Sequence, residues 1–254
     1  MDRLRRAFET PFTGWDFSSV DWVESDAPWD FQGLVEQQMH GRMTLLDMNT
    51  GGGEFLTSLT GLPPNVYATE SYEPNIPLAR ERLEAQGYHL QAVTDPTDIP
   101  FDEAFFDIII NRHGAFDPVE VERRLATHGI FLTQQVGGLN AADLNQTLGA
   151  PLMDNSNWCL TVAVQQIRQT GMIILRAALN TGTYRFPSIE SVVSYLKAIP
   201  WQIPSFTPDK YADRLAILDE QISRDGHLDI LSQRFLILAT KPGPIDQMAA
   251  KVAS

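Results

Sequence analysis

The 254-residue sequence predicts an α/β fold: a doubly wound, mostly parallel sheet with helices on both faces. Three observations lead there. Apolar runs alternate with helix-period segments from residue 43 onward, as parallel strands with crossover helices require. One of those runs, FFDIIIN (105–111), is apolar without alternation, which suits a strand covered on both faces. A glycine-rich turn, NTGGG (49–53), follows the first run directly and opens a helix.

Each element has its own signal. MTLLDMN (43–49) reads as the first buried strand, and GGEFLTSLTG (52–61) as a helix closed by Gly61. NVYATE (65–70) is the second strand. PNIPLARERLEAQG (74–87) places Ile76, Ala79 and Leu83 on one helix face with Gly87 just past its end. HLQAVT (89–94) and FFDIIIN are the third and fourth strands. Asp117 then reads as an N-cap, with Pro118 at the first helical position and Glu120 three residues after the cap. GIFLTQQVG (129–137) is the fifth strand, a helix is expected near 157–170, and GMIILRAAL (171–179) and QRFLILAT (233–240) are the last two strands.

Residues outside this alternation divide the chain. Residues 1–41 carry Phe12, Trp15, Phe17, Trp22, Trp29 and Phe31 and read as short helices and turns. The core is expected at 42–182 and 231–243, a helical cap insertion at 183–230, and a tail at 244–254. Within the cap, Ile189, Val192, Val193 and Leu196 share one helix face, and Tyr211, Leu215, Leu218 and Ile222 share another, the latter helix capped by Thr207.

Bulk composition narrows the function. The formal net charge of -13 repels phosphate backbones, so nucleic acid is a disfavoured partner. Arg3, Arg5 and Arg6 form too short a basic stretch to reverse that and read as a solvated helix face. The single cysteine, Cys159, rules out an internal disulfide and reads as a buried inert thiol. The five histidines share no ligand spacing, so no metal site is expected. No apolar run approaches the roughly 18 residues of a membrane helix, and the opening residues have no apolar leader pattern. A cytoplasmic protein with no membrane partner is expected.

The sharpest chemical signal is LLDMNTGGGEFL (45–56). A strand ends in Asp47, and small residues at 49, 51 and 53 let the backbone turn and approach a ligand closely. An ordinary strand–helix turn would also accommodate these glycines. Of the nucleotide-binding alternatives, a pyrophosphate is poorly matched: Leu56 stands where the dinucleotide fingerprint wants its third glycine, and Asp47 would face the phosphates. An acid there suits a cationic ligand instead.

The segment resembles motif I of class I, Rossmann-like S-adenosylmethionine-dependent methyltransferases of the UbiE-like, type 11-like kind. Their D/E-x-G-x-G-x-G pattern is matched by Asp47, Asn49, Gly51 and Gly53, with Asn49 replacing the first glycine. The resemblance continues through TESYEP and VTDPTDIPFDEAFFDIIINRH. It implies that Glu70 accepts hydrogen bonds from the ribose hydroxyls, with Ser71 beside it, and that Asp95 meets the adenine amino group. Asn111 would face the donor's sulfonium end and His113 the incoming nucleophile. Asp95 also reads as a turn former, and His113 as a strand-end histidine bonded to backbone. His113 is the candidate general base, although transfer from a sulfonium can proceed by positioning and desolvation alone. Gln135 and Trp201 are the expected acceptor-side residues, and the aromatics of the N-terminus and cap either line a pocket or only pack helices. The resemblance further implies a seven-stranded sheet whose last strand is antiparallel.

The function expected is methyl transfer from S-adenosylmethionine to a small-molecule acceptor by in-line displacement. The rivals are a non-catalytic S-adenosylmethionine-binding protein and an NAD(P)-dependent oxidoreductase, the latter opposed by Asp47 and Leu56. The acceptor, the atom modified and the oligomeric state leave no mark in the sequence.

Overall fold

The structure, a computed structural model, describes residues 1–11 and 20–243. Phe12, Trp15, Phe17 and the 244–254 tail therefore lie outside the described residues. Two compact units emerge from the chain. One combines Met1–Pro28, Val136–Cys159 and Leu179–Arg234; the other combines Trp29–Gln135, Leu160–Ala178 and the residues from Phe235 onward.

The second unit holds the parallel strands. These are β2 (Thr44–Met48), β3 (Asn65–Glu70), β4 (His89–Ala92) and β5 (Phe106–Arg112), with β6 (Leu125–Val136) running on into the first unit. Strand β2 pairs in parallel with β3 through Asp47↔Ala68 and with β5 through Met48↔Asn111. Strand β5 pairs in parallel with β6, Asn111 facing Thr133 and Arg112 facing Gln134. Four of the five residues of β2 are buried, which fits its apolar Leu45, Leu46 and Met48 and leaves Asp47 as the buried charged residue among them.

Helices α2 (Phe31–Met39), α3 (Glu54–Ser58), α4 (Ile76–Glu84), α5 (Pro118–Arg124) and α7 (Leu160–Gln169) complete this unit. Two start as their sequences dictate. The Asp117 carboxylate accepts from the Val119 amide at 2.9 Å, and Asp30 accepts from Gly33 at 3.0 Å.

The remaining strands are β1 (Val23–Glu24), β7 (Ile173–Phe186) and β8 (Leu228–Thr240), and the sheet order is β1-β7-β8-β6-β5-β2-β3-β4. The last strand is antiparallel to β6: the Lys241 amide donates to Gly129 at 3.0 Å, and the Gly137 amide donates to Gln233 at 3.0 Å. The sheet has eight strands rather than the expected seven, because part of the aromatic N-terminal segment is extended. Val23 pairs with Arg185 and Glu24 with Tyr184. Glu24 is held there by Arg234, whose guanidinium lies 3.2 Å away, and by the Ser232 hydroxyl.

The first unit has its own apolar core. Helices α1 (Asp2–Glu9), α6 (Ala142–Leu148), α8 (Ile189–Ala198) and α9 (Ala212–Asp225) bury Leu4, Leu144, Val193, Leu196, Leu215 and Leu218. Helix α9 starts later than its sequence suggests. Tyr211 occupies its N-cap, and the Thr207 hydroxyl accepts instead from the Lys210 amide at 3.3 Å, closing the preceding turn. Arg3 and Arg5 are not simply solvated: Arg3 pairs with Glu190 at 2.7 Å and with Asp219, and Arg5 with Asp209 at 2.6 Å. Cys159 is half-buried rather than fully buried. No described helix is long and apolar enough to cross a membrane.

Candidate active site at the strand ends

Parallel strands bring their carboxyl ends to one edge, where open α/β sheets bind ligands. Here β2, β3, β5 and β6 deliver Asp47, Glu70, Asn111 and the residues around Gln135 to that edge. All four side chains are buried.

The bend after β2 is left-handed at three of its positions, with φ of 57° at Asn49, 67° at Gly51 and 81° at Gly53. Glycine adopts such angles freely, and asparagine tolerates them better than most residues. Gly53 has a second constraint, because a Cβ there would lie 2.9 Å from Leu83 of α4. The bend is tied to Thr69 of β3 twice, through the Thr50 amide on the Thr69 carbonyl at 2.9 Å and the Asn49 amide on the Thr69 hydroxyl at 3.3 Å.

Asp47 is 2% exposed. Burial pushes its carboxyl up to about 7. The Thr50 hydroxyl, 2.7 Å away, opposes that shift; the charge of Glu70 adds to it, and that of Arg112 opposes it. Sequence reading missed Thr50, although its place three residues beyond the acid was a usable signal.

Glu70 is engaged by backbone donors. One oxygen accepts from the Gly51 amide at 2.6 Å; the other accepts from Ser71 and Tyr72, both at 2.7 Å. Burial raises the Glu70 carboxyl, and these amides work in the opposite direction. The Ser71 backbone is thus part of the same cluster. Asp95 is exposed and turns inward on its own loop, accepting from the Thr97 amide at 2.8 Å and the Thr97 hydroxyl at 2.7 Å. Those bonds hold its carboxyl below the usual range.

Asn111 sits at the centre of a second network. Its side-chain oxygen accepts from the Gln135 amide at 2.6 Å and the Thr133 hydroxyl at 3.1 Å, and its nitrogen donates to the Met48 carbonyl at 3.3 Å. Gln135 also donates to the Gly114 carbonyl at 3.0 Å, so it anchors the loop after β5. His113, at φ 67°, is exposed and lies 3.0 Å from the Gln134 side-chain nitrogen. The Trp29 indole N–H donates to the Gln134 oxygen at 2.7 Å. Adjacent residues of β6 therefore serve different partners, Gln135 joining Asn111 and Gln134 joining His113. Trp201 belongs to the first unit and is 52% exposed.

A buried acid at a strand tip, a left-handed glycine bend and a second acid on the next strand thus stand together at the carboxyl edge of a Rossmann-like core. The methyltransferase domain family matches residues 46–128, which span β3 to β5 and the last three residues of β2, and this segment is similar to that domain. No curated protein matches the chain.

Solved structures share the fold. A proposed methyltransferase of Bacillus halodurans C-125 has a TM-score of 0.61 at 19% identity, covering 84% of this chain and 99% of that one. The YcgJ protein of Bacillus subtilis has a TM-score of 0.57 at 16% identity, covering 84% and 98%. The [4+2]-cyclase SpnF has a TM-score of 0.53 at 14% identity, covering 95% and 92%. A cyclase among these neighbours means that the fold by itself does not dictate the reaction.

Proposed function

We propose that the chain is an S-adenosylmethionine-dependent methyltransferase acting on a small-molecule acceptor. The carrying observation is the desolvated Asp47 carboxyl beside the left-handed bend, within the matched methyltransferase segment. A carboxyl destabilised as an anion by burial gains most from a cationic ligand, which S-adenosylmethionine is and a dinucleotide is not.

The residues fit that group at most positions. Asp47 and the bend would hold its amino-acid end, and Glu70, already oriented by three amides, retains a lone pair on its Gly51-bound oxygen for a ribose hydroxyl. Asn49 alone brings a side chain where the family has none. When bound, the donor supplies a methyl group on a sulfonium. The chain's contribution is to orient it, exclude water and, at His113, accept a proton if the acceptor must lose one. The formal net charge of -13 favours a small or cationic acceptor over nucleic acid.

A binding role without transfer is the second reading. The observation favouring it is the pairing of the His113 ring nitrogen with Gln134. Calorimetry with S-adenosylmethionine, S-adenosylhomocysteine and NADH tests the site. Binding of both adenosyl compounds and not NADH is expected, and binding of NADH alone would overturn the proposal. Methyl transfer to a compound library then separates catalysis from binding.

A further inference from the structure

Asn49 departs from the family pattern, and its side chain has a definite position. The amide nitrogen donates to the Pro96 carbonyl in the loop after β4 and to the Ala115 carbonyl in the loop after β5, each at 3.0 Å. Those loops leave strands on opposite sides of β2. The side chain is therefore stretched across the front of the bend. Gly114 packs against it so closely that a Cβ there would lie 2.7 Å from the Asn49 Cβ and Nδ2. The Asn49 side-chain oxygen is buried and has no hydrogen-bond partner.

We propose that Asn49 is the residue that sets this crevice's affinity for an adenosyl ligand: its amide ties the 96 and 115 loops together over the bend. The inference rests on the adenosyl reading of the site. Entry of a ligand along the bend requires both amide bonds to break. The tie between the two loops is itself two neutral hydrogen bonds and leaves one acceptor unsatisfied, so it is releasable. A glycine at this position would keep the left-handed backbone and remove the tie.

The test compares full-length wild type with Asn49→Gly by calorimetry against S-adenosylhomocysteine, alongside hydrogen exchange of both proteins without ligand. The variant is expected to bind on the order of tenfold tighter, the equivalent of two neutral hydrogen bonds lost only from the closed state. Segments 95–98 and 113–116 are expected to exchange faster in the variant. Equal or weaker binding by a folded variant overturns the proposal while leaving the adenosyl site standing. If neither protein binds, the adenosyl reading fails, and unchanged exchange in the two segments would remove the tie as well.

Discussion

The Thr50 hydroxyl donates to the Asp47 carboxylate at 2.7 Å, across the first turn of the bend after β2. This is the one hydrogen bond among those described that steadies Asp47 as an anion, and it does not offset burial, which holds the carboxyl at about 7. The ligand-free site thus keeps a carboxyl near its ionisation point at neutral pH. A cation arriving beside it would favour the ionised form, so ligand affinity and protein stability pull this residue in opposite directions.

Replacing Asp47 with Asn exposes that opposition. The folded carboxyl titrates near 7, whereas an unfolded aspartate titrates near about 3.9. A raised folded value means stability that is complete below the unfolded value and lost as pH climbs through the folded one. Asp47→Asn should match wild type below about pH 4 and gain on it up to about pH 7, by as much as a few kcal/mol, with a flat difference above. Denaturant titrations across that range check this; a pH-independent difference would refute it. Binding of S-adenosylmethionine by the same variant should weaken by roughly 1.5–3 kcal/mol, the usual worth of a hydrogen bond to a charged group.

The strand tips were legible because the strands leading to them are buried. Runs such as FDIII announce themselves, and the residue ending each run, Asp47, Glu70 or Asn111, necessarily lies at the sheet edge. Partners were not legible. Trp29 and Gln134 are 105 residues apart, and nothing local to either predicts their bond. Strand β7 extends to Phe186, beyond the expected end at 179, because its later residues alternate exposed with less exposed positions and carry polar side chains. Strand β1 is two residues long and is fixed by distant Arg234 and Ser232 rather than by its own composition.

Glu70 gives the second prediction. Its two oxygens accept three backbone amides, from Gly51, Ser71 and Tyr72. In Glu70→Gln one oxygen becomes an NH₂ group that must face at least one N–H donor. A loss of about 2 kcal/mol in folding stability is expected, since a buried donor is left unsatisfied. Chemical denaturation reads this directly, and unchanged stability would show that the carboxylate is not needed to hold the bend.

At Gly53 the constraint is steric and conformational together. Its φ is 81°, and a Cβ would meet Leu83 Cδ2 at 2.9 Å. Gly53→Ala should cost about 1–3 kcal/mol through strain and overpacking. Pairing it with Leu83→Ala should recover the overpacking part only. If Gly53→Ala were neutral in thermal and denaturant unfolding, close packing of α4 on the bend would not be what requires glycine here.

The last prediction concerns the proton on His113. The Trp29 indole N–H can only donate, so at 2.7 Å it fixes the Gln134 oxygen on its own side. The Gln134 nitrogen then faces His113 Nε2 at 3.0 Å and donates to it. In this arrangement the ring is neutral, with Nε2 as acceptor and the proton on Nδ1. Long-range ¹⁵N–¹H correlation spectra above neutral pH should show His113 in that tautomer. Trp29→Phe removes the donor that orients Gln134, so the amide can turn over and the preference for Nδ1–H should fall. A wild-type spectrum dominated by Nε2–H would contradict the assignment. The consequence reaches the chemistry: while Gln134 occupies Nε2, His113 can take an acceptor's proton there only after that amide moves. In an active preparation, Trp29→Phe should therefore shift the pH dependence of turnover, whereas a role confined to packing would leave that dependence unmoved.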